Sequence, residues 1–107
     1  MFKIEWSEPA TGDIDELADY LIAREGDFAI AERVIQRILK APEHLAALPW
    51  AGKPGRLPET REWQVKKTRY SLIYSVAEST VHILRVMHSS RLFPESVEED
   101  RANGAEQ

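Results

Sequence analysis

Lys66, Lys67, Arg69, Tyr70, Arg85, His88, Ser89, Ser90 and Arg91 fall in one short part of the chain, with Arg61 and Glu62 just ahead of it and His82 inside it. These types share a chemical capacity. Lys and Arg neutralise phosphate, Arg by paired bonds, and an imidazole exchanges a proton near neutral pH. A metal-free ribonuclease needs that combination: a base for the ribose 2′-hydroxyl, cations for the charge that develops on phosphate oxygens, and an acid for the leaving oxygen.

Each residue also has a plainer reading. His88 suits a hydrogen-bonded surface histidine, and His82, inside an alternating strand, suits a solvent-facing one. Lys66, Lys67 and Arg69 suit a solvated ridge. Arg85 alternates with Ile83 and Met87, which would partly cover it and call for a carboxylate partner such as Glu62. Tyr70 and Tyr74 share a strand face, which fits packing as well as base stacking. Three scattered histidines do not make a metal site, and the chain has no G-x-G-x-x-G, P-loop or H-E-x-x-H motif. No cofactor and no metal are expected.

The elements that must position these residues follow from the pattern of apolar side chains. Tyr70, Leu72, Tyr74 and Val76 alternate with Ser71, Ile73, Ser75 and Ala77, and residues 81–86 form a second β-rich run. Glu78, Ser79 and Thr80 between them read as the turn of a hairpin whose register stays open, because no Asn-Gly or Asp-Gly pair fixes it. At the N-terminus Phe2, Ile4 and Trp6 alternate with Lys3, Glu5 and Ser7, and Pro9 stops the run; this strand is expected to join the later sheet. Asp13 and Glu16 have the spacing of a helix-opening capping box, with Thr11 as a second start.

Ile14, Leu17, Ala18, Leu21 and Ile22 then make one helical stripe. Gly26 ends it and Asp27 opens another, Phe28, Ala31, Val34, Ile35, Ile38 and Leu39, so the two helices form an antiparallel pair. Pro42 kinks, ends or restarts the second helix. Pro49, Gly52, Pro54, Gly55 and Pro58 mark a loop in which Trp50 is an anchor, and a strand is expected to begin near Thr60. The order predicts an α+β domain, β-α-α-β-β-β, with a two-helix N-terminal hairpin packed on a curved, mainly antiparallel sheet. One domain over residues 1–94 is expected, followed by a flexible acidic tail at 95–107.

With 107 residues, 43% of them hydrophobic, the chain can bury one core. It has no cysteine, which excludes disulfides and thiolate chemistry and fits a cytoplasmic protein. No run approaches a membrane span, so no membrane partner is expected. The net charge of −4 opposes a surface that coats nucleic acid generally, but it averages over a basic region at 56–91 and acidic ones at 8–19 and 95–100.

The segments FKIEWS, DIDELADYL, LKAPEHLAALP, PGRLPETRE, YSLIYSV and VHILRVMHSSRLFP occur in an order that resembles the RelE/ParE superfamily of bacterial toxins, across residues 2–94. The resemblance implies the same two helices on a sheet that takes in the first strand. It also implies a cognate antitoxin whose C-terminal segment wraps the toxin and whose other domain binds operator DNA. In the ribonuclease branch an arginine follows the residue that opens the penultimate strand; Ser71 stands there. Arg91 matches a C-terminal arginine of those enzymes, but Leu92, Phe93 and Pro94 follow where some have a tyrosine.

The resemblance is therefore closer to the ParE branch, whose members poison DNA gyrase without catalysis of their own. It implies Arg61, Arg85, His88 and Arg91 as target-binding residues. A RelE-like ribosome-dependent mRNA endoribonuclease, with ribosome and mRNA as partners, is the alternative; in it the resemblance implies Arg91 and Lys66 or Lys67 as the cations that neutralise phosphate, His88 as the acid–base group and Tyr70 as the residue that positions a base. An inactive binding subunit that keeps the toxin fold is a third.

Overall fold

The computed structural model describes residues 1–92, the last two by their backbone alone. The expected domain limit at residue 94 and the acidic tail at 95–107 lie outside the described residues. In chain order the elements are β1 (Lys3–Trp6), α1 (Glu8–Glu25), α2 (Phe28–Ala47), β2 (Lys53–Pro54), β3 (Arg61–Gln64), β4 (Tyr70–Ala77), β5 (Thr80–His88) and a closing 3₁₀ turn (Ser89–Leu92). They form the expected α+β arrangement with one addition, the two-residue β2, which the run of prolines and glycines concealed.

The sheet order is β1-β5-β4-β3-β2. β1 runs parallel to β5, and every other pairing is antiparallel. The first strand thus joins the later sheet, as expected, and takes its place beside the last strand, tied further by Phe2 N–H to the Ala46 carbonyl (2.9 Å) and Lys3 N–H to that of Ser79 (2.9 Å).

α1 starts earlier than the capping-box reading placed it. Ser7 is the N-cap, its hydroxyl accepting the Ala10 N–H at 3.1 Å and donating to the Leu84 carbonyl at 2.8 Å. Pro9 falls in the first turn, where its missing N–H costs nothing. Asp13, released from capping, reaches β5 instead. At the other end Gly26 takes φ 65°, and Asp27 caps α2 by accepting the Ala29 N–H at 2.9 Å.

Pro42 lies within α2 and does not end it. A proline there gives up a helical hydrogen bond, a cost of about 3 kcal/mol. Its own ring is buried, and the turn after it seats Leu45 and Ala46 in the core, which offsets that loss.

The core gathers Leu17 and Leu21 of α1, Ala31, Ile38 and Leu45 of α2, and Leu72, Tyr74, Val81, Ile83 and Val86 of the sheet. The predicted stripes were wider than what is buried: Ile22, Phe28 and Leu39 remain exposed on the helices. The hairpin register pairs Ala77 with Thr80. Glu78 and Ser79, at φ 52° and 62°, form its two-residue turn, the backbone that Asn-Gly would adopt with less strain. Tyr74 pairs with Ile83 and Ile73 with Arg85, so Leu84 is an extra residue that bulges β5.

Candidate functional site

The residues singled out by chemistry do not all fall in one place. At one end of the sheet, residues 65–69 turn β3 into β4. The Val65 N–H donates to the Tyr70 carbonyl at 2.9 Å, and Lys67 adopts φ 62°. The 3₁₀ turn lies alongside, joined by Ser89 N–H to the Arg69 carbonyl at 2.8 Å. Lys66, Lys67, Tyr70, His88 and the backbone of Arg91 therefore lie at the same end of the sheet. The Arg91 side chain lies outside the described residues.

Within this cluster the sheet divides the groups. Successive strand residues face opposite sides, so Tyr70 shares the helix side with Leu72 and Tyr74, while Ser71 looks away. His88 is paired with Tyr70 in the register and meets its ring edge-on, centroids 5.3 Å apart. The His88 Nδ1 accepts the Ser90 N–H at 3.2 Å and lies 2.7 Å from the Ser90 hydroxyl. In the neutral ring the proton then sits on Nε2. These groups border a groove of about 500 Å³ against α1, which Asp13, Glu16, Tyr20 and Arg85 also line.

Lys66 lines a different groove, of about 380 Å³, with Lys53, Glu62, Gln64, Ser71 and Ser89. There the Gln64 side-chain oxygen accepts the Ser89 hydroxyl at 2.6 Å and the Ser71 hydroxyl at 3.3 Å, while the two hydroxyls stand 2.9 Å apart. The Gln64 amide group donates to the carbonyls of Thr68 (2.9 Å) and Tyr70 (3.3 Å). Gln64 thus ties the β3–β4 turn to the 3₁₀ turn. Sequence reasoning missed it; its only signal was a polar residue in strand alternation with Glu62 ahead of two lysines.

Arg85 sits at the bulge, and its partner is Asp13 rather than Glu62. Nε meets Oδ2 at 2.8 Å and NH2 meets Oδ1 at 2.9 Å, while Oδ2 also accepts the Val86 N–H at 2.9 Å. Burial alone would push the Asp13 carboxyl up. The hydrogen bonds from Arg85 and Val86 and the Arg85 charge together outweigh it and hold the group below its ordinary 3.8. The hydrogen bond to Asp13, opposed by burial and helped by the charges of Asp13 and Glu16, raises Arg85 in return. Glu62 could not serve, because it is buried beside β2, its carboxylate accepting the Arg56 N–H at 3.3 Å with Lys53 Nζ 4.0 Å away.

Arg61 lies apart from the cluster. Its Nε donates to the Gly52 carbonyl at 3.0 Å and its NH2 to that of Trp50 at 3.2 Å, which fastens the loop after α2. Trp50 packs edge-on against Phe2, centroids 5.7 Å apart, although 60% of it is exposed. Tyr74 is unavailable for stacking: it is fully buried, with its hydroxyl donating to the Pro49 carbonyl at 2.8 Å and accepting the Gly52 N–H at 2.9 Å. His82 faces Glu5 across the parallel pair at 3.4 Å. Among the described residues no three metal-ligating side chains converge, and no helix is long and apolar enough to cross a membrane.

A helical hairpin on a mixed sheet with the first strand beside the last is the architecture of the RelE/ParE superfamily of toxins from toxin–antitoxin systems. Within it the chain belongs to the family described as the ParE toxin of the type II toxin–antitoxin system, parDE, which matches residues 4–93. It is 34% identical over 93 residues to Y4kP of Sinorhizobium fredii, a protein named as a toxin, covering 87% of this chain and 94% of that one. To toxin RelE2 of Caulobacter vibrioides it is 31% identical over 94 residues, covering 86% and 100%. Among solved structures, the chromosomal ParDE system from P. aeruginosa matches with a TM-score of 0.74 at 24% identity, over 82% of this chain and 96% of that one. The RelBE2 toxin–antitoxin complex of Mycobacterium tuberculosis matches with a TM-score of 0.54 at 25% identity, over 81% and 96%.

Proposed function

We propose that the chain is a ParE-like toxin that inhibits DNA gyrase in the cytoplasm and is neutralised by a cognate antitoxin. The observation that carries the choice of target is the separation of His88 from Lys66. An endoribonuclease would need its acid–base group and its phosphate-binding cation around one phosphate. Here His88 opens into the groove beside α1, and Lys66 into the groove beyond the sheet. Ser71, at the strand position where the ribonuclease branch carries an arginine, brings no charge and is engaged with Gln64 and Ser89. Arg85, His88 and Arg91 remain the residues for the target surface, and Arg61 serves it from a distance by fixing the loop.

The antitoxin reading draws on the relatives, whose solved structures are toxin–antitoxin systems and complexes. The apolar side chains left exposed on the helical hairpin, Tyr20, Phe28 and Leu39 among them, offer a wrapping segment something to cover. Operator DNA would then be reached through the antitoxin. Controlled expression with parallel readouts tests the whole: gyrase-linked DNA breaks without transcript cleavage are expected. Ribosome-dependent cleavage without breaks would overturn the assignment in favour of an mRNA endoribonuclease, and normal growth with soluble folded protein would indicate an inactive binding subunit.

A further inference from the structure

The turn between β3 and β4 carries Lys66, Lys67 and Arg69, all exposed. None of the ion pairs among the described residues includes them. Carboxylates are not scarce, since the chain has 18 Asp and Glu against 14 Lys and Arg. Like charges this close repel one another, yet the turn is held firmly. Gln64 grips it through the carbonyls of Thr68 and Tyr70, the Thr68 hydroxyl donates to the Val65 carbonyl at 2.9 Å, and Ser89 N–H holds the Arg69 carbonyl. The three cations so held are already arranged for a polyanion, with little ordering left to do on binding.

We propose that this turn contacts the phosphate backbone of duplex DNA when the protein sits on gyrase, an inference that rests on the gyrase reading above. A duplex fits better than a single strand. Unpaired bases bind by stacking on aromatic faces; Tyr70 and His88 meet each other on the helix side, and Trp63, which lines the groove beside Lys66, is stacked on His44 with centroids 4.8 Å apart. What the turn presents outward is charge alone, which positions a protein on a duplex without reading its sequence.

The test compares binding of the full chain to gyrase with and without a linear duplex bound to the enzyme. Bound DNA is expected to tighten binding, and three phosphate contacts make that gain fall roughly 40-fold between about 50 and 200 mM salt. The triple variant K66Q/K67Q/R69Q is expected to lose the gain while keeping its affinity for DNA-free gyrase. A charge-preserving variant, K66R/K67R/R69K, is expected to retain it. Survival of the gain in the Gln variant, no gain from DNA in the unaltered chain, or an equal gain from single-stranded RNA would each overturn the proposal. Binding to gyrase without a gain sinks this inference alone, whereas no binding to gyrase at all sinks the functional reading and this inference together.

Discussion

Asp13 of α1 holds the Arg85 guanidinium of β5 by two bonds of 2.8 and 2.9 Å and takes the Val86 N–H with the same carboxylate. β1 reaches β5 only as far as Ile83, so the strand continues past it without a neighbouring strand on that side. Asp13 supplies a partner there, and the Leu84 bulge aims Arg85 at it. One side chain thereby fixes the first helix to the strand that carries His88.

Replacing Asp13 by Ala leaves the Val86 N–H and the Arg85 guanidinium without this acceptor. The expected cost is about 1–3 kcal/mol, read as a lower urea midpoint. The pH dependence has a definite sign. A carboxyl whose folded pKa lies below its unfolded value of 3.8 stabilises the fold fully above that value and loses its contribution as pH falls through the lower, folded one. The gap between the parent and D13A midpoints is therefore expected to stay constant from neutral pH down to the ordinary carboxylate range and to close below it.

Gly52 is required by space. A Cβ there would lie 2.6 Å from the Tyr74 hydroxyl and 2.7 Å from the Glu62 carbonyl oxygen, so the phenol could not keep its bonds to Pro49 and Gly52. Gly52→Ala is expected to destabilise by about 1–3 kcal/mol, as overpacking does. Tyr74→Phe, which leaves the same backbone groups unpaired, is expected to cost a similar amount. Thermal unfolding of both variants checks this.

Most of the architecture could be read from local patterns because those patterns report burial directly. Ile4 and Trp6 alternate as a strand must, Leu17 and Leu21 recur as a helix face must, and Gly26–Asp27 punctuates the two helices. The site was read less well, because ion pairing and hydrogen bonding depend on which strands become neighbours. Arg85 called for a carboxylate, and both Glu62 and Asp13 were available in sequence; only the α1–β5 packing selects Asp13. Tyr74 looked like Tyr70 by alternation, but the loop that returns over it makes one a core anchor and leaves the other at a groove. Nothing local marked Gln64 as the residue that joins two turns.

The β4–β5 turn can be improved. Glu78 and Ser79 both hold positive φ, a conformation that costs ordinary L-residues on the order of 1 kcal/mol each and that Asn-Gly accepts readily. The double variant E78N/S79G is expected to gain about 1 kcal/mol. That corresponds to roughly 4–8 °C in Tm for a domain of this size, visible in a thermal melt, with growth inhibition unchanged because the turn lies at the far end of the hairpin from His88.

Arg61 and His88 were grouped together by chemistry, and the fold separates how their loss would act. Arg61 binds two backbone carbonyls of the loop after α2; Arg61→Ala is expected to weaken growth inhibition only as far as it lowers stability, by about 1–3 kcal/mol for two lost charge-assisted bonds. His88 borders the groove beside α1, where its ring meets Tyr70 edge-on and its Nδ1 lies 2.7 Å from the Ser90 hydroxyl. His88→Gln keeps a polar side chain of similar reach and is expected to leave Tm within a degree or two while reducing growth inhibition. Measuring toxicity and Tm on both variants distinguishes the roles. Full toxicity in H88Q would remove His88 from the target surface, and loss of toxicity in R61A at unchanged Tm would place Arg61 on it.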